Sequence, residues 1–420
     1  MFEKTPRLGG VIETNRIEGC LVEGGPDSFL SAKPAALQLI KDLGLESEVI
    51  GSNDHLRVTY MVRHGKLVPM PDGLAMMIPT KIWPMVTTPL VGWGTKIRMA
   101  LEYFRKPEVV GERSVAEMIR SHYGQETVDY LAEPLLAGVF GGDPEQLSAN
   151  AVLQQFVELE QKYGSLTKGT LARRAAAPAA TGTLFRTMKD GLGTLPTAIK
   201  NAIAGKVEIR HGTVERIEKS ADGDYLVNGQ PVSRVIVCTP AWQAADILRS
   251  IAPKASEGLG AIGYNSSITI GLIYDRATFP HPLNGFGFLV PAKERRRMAA
   301  CTWVGTKFSH RVPNDKVLLR CFVGGTGAGL SDAQLVEEVR VELQGWMGIN
   351  VAPVAQNVVR WNRAMAQYTV GHQTRVAAIV DELKVLPGIH LAGNAYEGIG
   401  IPDCIRMGKA AAEKCQPAHS

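Results

Sequence analysis

Apolar residues recur along this chain with two different spacings, and the spacing changes with position. Phe2 closes a short apolar piece, and Glu3 follows it as an acidic strand end. Val11-Ile12-Glu13-Thr14 and Cys20-Leu21-Val22-Glu23 read as short strands, and Glu23-Gly24-Gly25-Pro26-Asp27-Ser28 reads as a turn. From Pro34 to Leu43 the spacing becomes helical, with Ala35, Leu39 and Leu43 on one face and Gly44 as the stop. The runs 58–63 and 66–68 predict a hairpin turning at His64-Gly65.

Residues 70–165 read as mostly helical, with Met, Trp and Pro spread through them. Met76 to Met85 and Leu90 to Trp93 are apolar and flanked by Lys81, Lys96 and Arg98. Trp beside basic residues on an apolar patch suits a bilayer interface, and a plain helical core with surface lysines suits the same residues. Leu171 to Met188 is rich in Ala, Pro and Arg and is expected to be a mobile basic loop. The β signal returns at Val207–Arg210, His211–Ile217 and Tyr225–Val227. Arg234 to Pro240 is nearly continuous in apolar residues, as in a buried parallel strand, and a helix follows over 241–248. Further strands are predicted over 267–274, 316–324 and 389–392, and helices over 332–347 and 403–415.

Length suits two or three domains, at roughly 100–200 residues each. The 46 basic and 41 acidic residues leave a net charge of +5, too weak to indicate a nucleic-acid partner. The six cysteines form no C-x-x-C pair, so neither zinc nor a disulfide framework is expected, and a reducing, cytoplasmic setting is. No stretch reads as a signal peptide or a spanning helix.

Three glycine-rich segments could carry chemistry. Arg7-Leu8-Gly9-Gly10 follows the acidic strand end, and its glycines allow close backbone approach to a diphosphate that Arg7 would assist by charge. In a dinucleotide fold such an acid holds a ribose and follows a phosphate loop by roughly 20 residues. No such loop precedes Glu3 here, so part of the cradle is expected to lie outside this chain. Gly393 to Asp403 joins a strand to a helix through three glycines, with Pro402 in the first turn. A helix start aimed at a flavin would stabilise the negative charge gained on reduction. Gly324 to Gly329 also sits between strand and helix, but its spacing fails G-x-G-x-x-G and it reads as a turn. The run Lys293-Glu294-Arg295-Arg296-Arg297 reads as a solvated loop, with substrate carboxylates as its other use.

Taken together these motifs resemble the bacterial flavin-dependent protoporphyrinogen or coproporphyrinogen oxidases, within the wider amine-oxidase-like flavoproteins. The resemblance spans nearly the whole chain and rests on seven segments in order: 2–10, 23–29, 138–148, 190–195, 285–291, 322–325 and 392–401. It implies an α/β (mixed α+β) architecture. The FAD-binding domain, Rossmann-like and of the amine-oxidase/glutathione-reductase type, would be discontinuous over 1–50, 190–254 and 386–420. A mixed-sheet substrate domain would take 51–69 and 255–385, and a helical, membrane-facing insertion 70–189. It implies six-electron oxidation of a porphyrinogen in haem biosynthesis, by hydride transfer to FAD with O₂ reoxidising the flavin to give H₂O₂.

By position, the resemblance assigns Glu3 and Lys4 to the adenosine ribose, and Arg7, Gly9 and Gly10 to the diphosphate. It assigns Gly25, Pro26, Asp27 and Ser28 to the isoalloxazine, and Val214, as a strand residue, to the adenine. Trp361, Gly393, Ile399, Gly400 and Ile401 complete the cofactor set. Gly138, Phe288, Leu289 and Gly325 would border the macrocycle. Thr59 stands where some members carry a carboxylate-binding Arg, and Arg57, on the same strand face, is the candidate substitute. Peripheral attachment to the inner face of the cell membrane and a homodimer are compatible with the family. Two rival readings stay open: another FAD-dependent amine oxidase, and a non-catalytic tetrapyrrole-binding protein.

Overall fold

The longest strands build one seven-stranded sheet. In this computed structural model, which describes residues 1–176 and 182–416, its order is Ala355–Ala366, Tyr264–Asp275, Lys316–Gly324, Met298–Trp303, Gly287–Leu289, Thr59–Arg63 and Lys66–Pro69. Every neighbour pair is antiparallel except Gly287–Leu289 with Thr59–Arg63. The period-two alternation of strands sorts side chains between the two faces. Val62 and Phe288 enter a core built with the helix Asp332–Met347. Met61 and Leu289 pack instead into the helical layer on the other face.

That layer comprises Ile82–Thr87, Trp93–Glu102, Val115–Tyr123, Glu133–Phe140, Ala149–Val152, Gln154–Tyr163 and Leu166–Ala176. The loop expected over 171–188 is corrected. Residues up to Ala176 are helical, since Ala and Arg are strong helix formers. Phe185–Met188 is a strand between Phe29–Leu30 and Val49–Gly51. Only residues 177–181 of the expected loop lie outside the described residues. Inside the layer His122 is fully buried between two carboxylates, 2.8 Å from Glu102 and 2.7 Å from Glu160. Among the described residues no helix is long and apolar enough to cross a membrane.

Two small parallel pairs are Phe2–Glu3 with Arg210–His211 and Val235–Val237 with Ile389–Leu391, and Ile217–Lys219, Tyr225–Val227 and Gln230–Val232 form a small antiparallel sheet. Val235 and Ile236 are half-buried rather than fully buried, because a two-stranded sheet leaves one edge open. The strand expected over 11–14 begins only at Thr14, because Ile12 N–H donates to Gly9 O at 3.0 Å and folds residues 9–12 into a turn. Gly324–Gly329 is a turn, followed by a helix with a Ser331–Gln334 capping box. The C-terminal helix runs Ile401–Lys414, starting two residues before Asp403 with Gly400 as its cap.

Candidate flavin site

Glycine decides the backbone path at the Glu23–Ser28 turn. A Cβ on Gly25 would stand 1.8 Å from Val11 O, so the two backbones can approach this closely only without one. The turn is then held by side chains from distant strands. Arg320 Nε donates to Glu23 O at 2.8 Å, and its Nη2 donates to Gly25 O. Trp361 Nε1 donates to Gly24 O at 2.8 Å, and Thr187 Oγ1 donates to Asp27 O at 2.8 Å.

The charges beneath the turn are buried, and each carboxylate has a cationic partner. The Glu23 carboxylate is 4% exposed. It accepts from Arg311 at 2.6 Å, from Leu192 N–H at 2.8 Å and from Thr14 Oγ1 at 2.5 Å. Asp27 pairs with Lys307 at 2.9 Å, and Arg320 lies 3.7 Å away. Burial pushes the Asp27 carboxyl up, but Lys307 and Arg320 outweigh it and hold the group well below the usual carboxylate range.

The C-terminal glycine loop is tied down by one phenol. Tyr368 is 2% exposed. Its hydroxyl accepts from Gly398 N–H at 2.8 Å and donates to Asn394 O at 2.9 Å. Its ring stacks on His372, with centroids 4.0 Å apart at 12°. Burial raises the Tyr368 hydroxyl's pKa, so it stays protonated and able to donate. Gly393 (φ +134°) and Gly398 (φ +126°) supply conformations that side-chain-bearing residues rarely adopt. Lys33 reaches Asp403 at 2.6 Å in the first turn of the C-terminal helix.

The segment 138–148 docks beside this loop. Gln367 Nε2 donates to Phe140 O at 2.8 Å, Asn265 Nδ2 to Gly141 O at 2.6 Å, and Ser148 N–H to Tyr368 O at 2.8 Å. A Cβ on Gly138 would meet Leu289 at 3.7 Å. Gly325 opens the turn after Lys316–Gly324, at the sheet end that also carries Trp361.

Several expected residues stand elsewhere. Phe288 faces the opposite core and packs edge-on against Trp346, 5.7 Å between centroids, so it does not share a face with Leu289. Arg57 is exposed at the end of a short 3₁₀ turn, before the strand that begins at Thr59. Val214 is not in a strand, although it is half-buried against the core of the second parallel pair. Ile399 packs on that same core, and Ile401 on the one around Leu192 and Leu195. Lys4 is exposed. Glu3 accepts from Thr5 N–H and Thr5 Oγ1, both at 2.9 Å. Arg7 donates to Ile12 O at 2.6 Å and to Gly10 O at 2.5 Å, so it shapes the Gly9–Gly10 turn. The run 293–297 is a loop with Lys293 and Arg296 exposed, as expected, but Arg295 and Lys293 pair with Glu133 and Asp129, and Arg297 with Glu338, so it is tied to its neighbours rather than wholly solvated.

The sequence reading missed Arg320, Arg311, Lys307 and Thr187. Arg320 had a signal: a lone cation within the apolar run Lys316–Gly324, where burial demands a partner.

A turn that only glycine can make, a glycine loop leading into a helix start and a covering mixed sheet define a flavin-dependent oxidoreductase fold. Residues 1–416 match the family of flavin containing amine oxidoreductases, and the chain belongs to that family. It is 34% identical to the coproporphyrinogen III oxidase of Bacillus subtilis (strain 168), over 98% of this chain and 90% of the relative. It is 31% identical to the coproporphyrinogen III oxidase of Staphylococcus aureus (strain NCTC 8325 / PS 47), over 99% of this chain and 92% of the relative. A crystal structure assigned as a protoporphyrinogen oxidase from Exiguobacterium sp. 255-15 superposes with a TM-score of 0.85 at 30% identity, over 98% of this chain and 91% of that one.

Proposed function

We propose that this protein oxidises a porphyrinogen to the porphyrin in haem biosynthesis, with FAD as cofactor and oxygen as acceptor, and that its substrate is coproporphyrinogen III. The observation that carries the reading is the joining of the 138–148 segment to the glycine loop through Gln367 and Tyr368. Relatives named for coproporphyrinogen III, alike over nearly the full length of both chains, support the choice of substrate.

The residues present fit a flavin, because the half-buried Gly25 and Ser28 N–H groups have no acceptor among the described residues and offer donors to a heteroaromatic ring. Bound FAD supplies the redox chemistry, taking electrons from the substrate and passing them to oxygen. The chain's own part is to bind, orient and exclude water. The start of the C-terminal helix favours negative charge on the ring, and Tyr368 fixes the loop in front of it. Leu289 and Gly138 form an apolar wall that suits a macrocycle. Glu3 and Lys4 would take the ribose, and Gly9 and Gly10 the diphosphate, with Arg7 acting through the turn it holds. Val214 would reach the adenine through its backbone.

We further propose the three-part division given above, with the helical layer meeting the membrane. Ile82, Trp83, Trp93, Ile97, Leu101 and Phe104 are each more than half exposed. Trp93, Ile97 and Leu101 recur every four residues and so share one helix face. Lys96 lies over the Trp93 ring at 4.6 Å, which sets a cation beside the apolar face, as suits an anionic bilayer surface. Self-association of two copies through this face is the other use of the same surface.

The test is oxidation of chemically reduced substrates by the purified, FAD-supplied protein, followed by porphyrin fluorescence and oxygen uptake. Coproporphyrinogen III is expected to turn over faster than protoporphyrinogen IX, and putrescine not at all. Turnover of the amine alone would sink the proposal, and the reverse porphyrinogen preference would overturn its substrate.

A further inference from the structure

We propose that Trp361 and Thr187 are positioning residues that aim the backbone N–H groups of Gly25 and Ser28 at the bound isoalloxazine. The inference rests on the reading that this turn lines the flavin.

A peptide unit is planar, so the carbonyl of one residue and the N–H of the next point in opposite directions. Fixing one fixes the other. Trp361 pulls Gly24 O to one side, which turns Gly25 N–H to the other. Thr187 does the same to Asp27 O and Ser28 N–H. Arg320 holds two further carbonyls, of Glu23 and Gly25, and keeps the turn from rotating as a unit.

The N–H groups divide accordingly. Gly24 N–H donates to Glu13 O at 2.8 Å, and Pro26 has none to offer. Gly25, Asp27 and Ser28 N–H find no acceptor among the described residues, although the turn is half-buried, and of these Gly25 and Ser28 follow carbonyls that Trp361 and Thr187 hold. A half-buried N–H without a partner is costly unless a ligand or water completes it. The Gly25 and Ser28 donors, spaced along one turn and set by side chains from distant strands, suit the acceptor atoms of a flat heteroaromatic ring.

The surrounding charge acts in the same direction. Lys307 and Arg320 against Asp27 leave one positive charge in excess beside the turn. Reduction adds negative charge to the ring, so aimed donors bind the reduced form better and raise its midpoint potential.

Amide hydrogen exchange in the full-length protein, with and without FAD, tests this directly. In the unaltered chain FAD is expected to slow exchange at Gly25 and Ser28 by about tenfold or more, as a hydrogen bond to each would require. Trp361→Phe keeps a ring but removes the donor. It is expected to abolish the slowing at Gly25 and lower the flavin potential, while the FAD-free protein still unfolds in one cooperative transition and the slowing at Ser28 is kept. Thr187→Val is expected to abolish the slowing at Ser28, and Thr187→Ser to restore it. FAD binding without slowing at either amide overturns the inference alone, as does retained slowing in Trp361→Phe. Failure of the unaltered chain to bind FAD overturns the inference and the proposed function together.

Discussion

Lys33 Nζ lies 2.6 Å from one carboxylate oxygen of Asp403 and 2.8 Å from the other, across 370 residues of sequence. Asp403 is buried in the first turn of the C-terminal helix, beneath Gly398. A bare carboxylate there would oppose an electron-rich ring at the helix start, and Lys33 cancels it. Half of the lysine side chain is exposed, which limits the strength of the pair. Lys33→Met is therefore expected to weaken FAD binding by only about three- to fivefold, from ~1 kcal/mol. Titration by quenching of flavin fluorescence checks this, and adding Asp403→Asn is expected to recover the loss.

Gly25→Ala is expected to abolish FAD binding. Its Cβ would overlap the Val11 carbonyl, which is backbone and cannot rotate away. Yellow colour retained through gel filtration by the purified variant would refute the close-approach argument.

His122→Phe leaves two buried carboxylates without their shared partner. Breaking a buried pair costs about 3–5 kcal/mol, and that loss is expected in denaturant unfolding at pH 7.5. In the unaltered protein burial pushes Glu102 and Glu160 up, but hydrogen bonds from His122 and its neighbours outweigh it and leave both carboxyls below their ordinary value. Groups with a depressed folded pKa stabilise above the unfolded value, near 4.3, and lose that contribution as pH falls through the folded one. In the variant burial is opposed only by the bonds that remain, among them those from Ser165 and Thr167 to Glu102 and from Arg113 to Glu160, and the carboxyls protonate more readily. The gap between the two proteins is therefore expected to narrow as pH approaches 4.5. A gap independent of pH would show that packing, not charge, sets the cost.

Replacing Trp93, Ile97 and Leu101 together by Glu is expected to remove binding to anionic lipid vesicles while leaving porphyrinogen turnover in detergent unchanged. Flotation of dilute protein with vesicles measures the first. Retained flotation would place the membrane contact elsewhere. A dimer in the unaltered protein that the variant loses would assign the face to self-association instead.

Local rules were legible where one segment satisfies its own requirements. The helices over 241–248 and 332–347 have clear apolar periods, the second with a Ser331–Gln334 capping box as well, and both appear as expected. The hairpin at His64-Gly65 appears for the same reason. Leu171–Ala176 misled because Arg and Ala were weighed as loop composition when they are also good helix formers. Phe288 misled because a motif match carries no information about strand face, whereas alternation along the strand assigns Phe288 and Leu289 to opposite sides.

By itself the sequence determined the family, the flavin and the order of the glycine segments, because these depend on residue type at fixed local spacing. Only the tertiary structure decided what holds the segments. Arg320, Trp361 and Thr187 meet the Glu23–Ser28 turn from strands 160 or more residues away. Their pairing is set by sheet register and burial, where every desolvated carbonyl and charge must find a partner, and no local spacing encodes which partner that is.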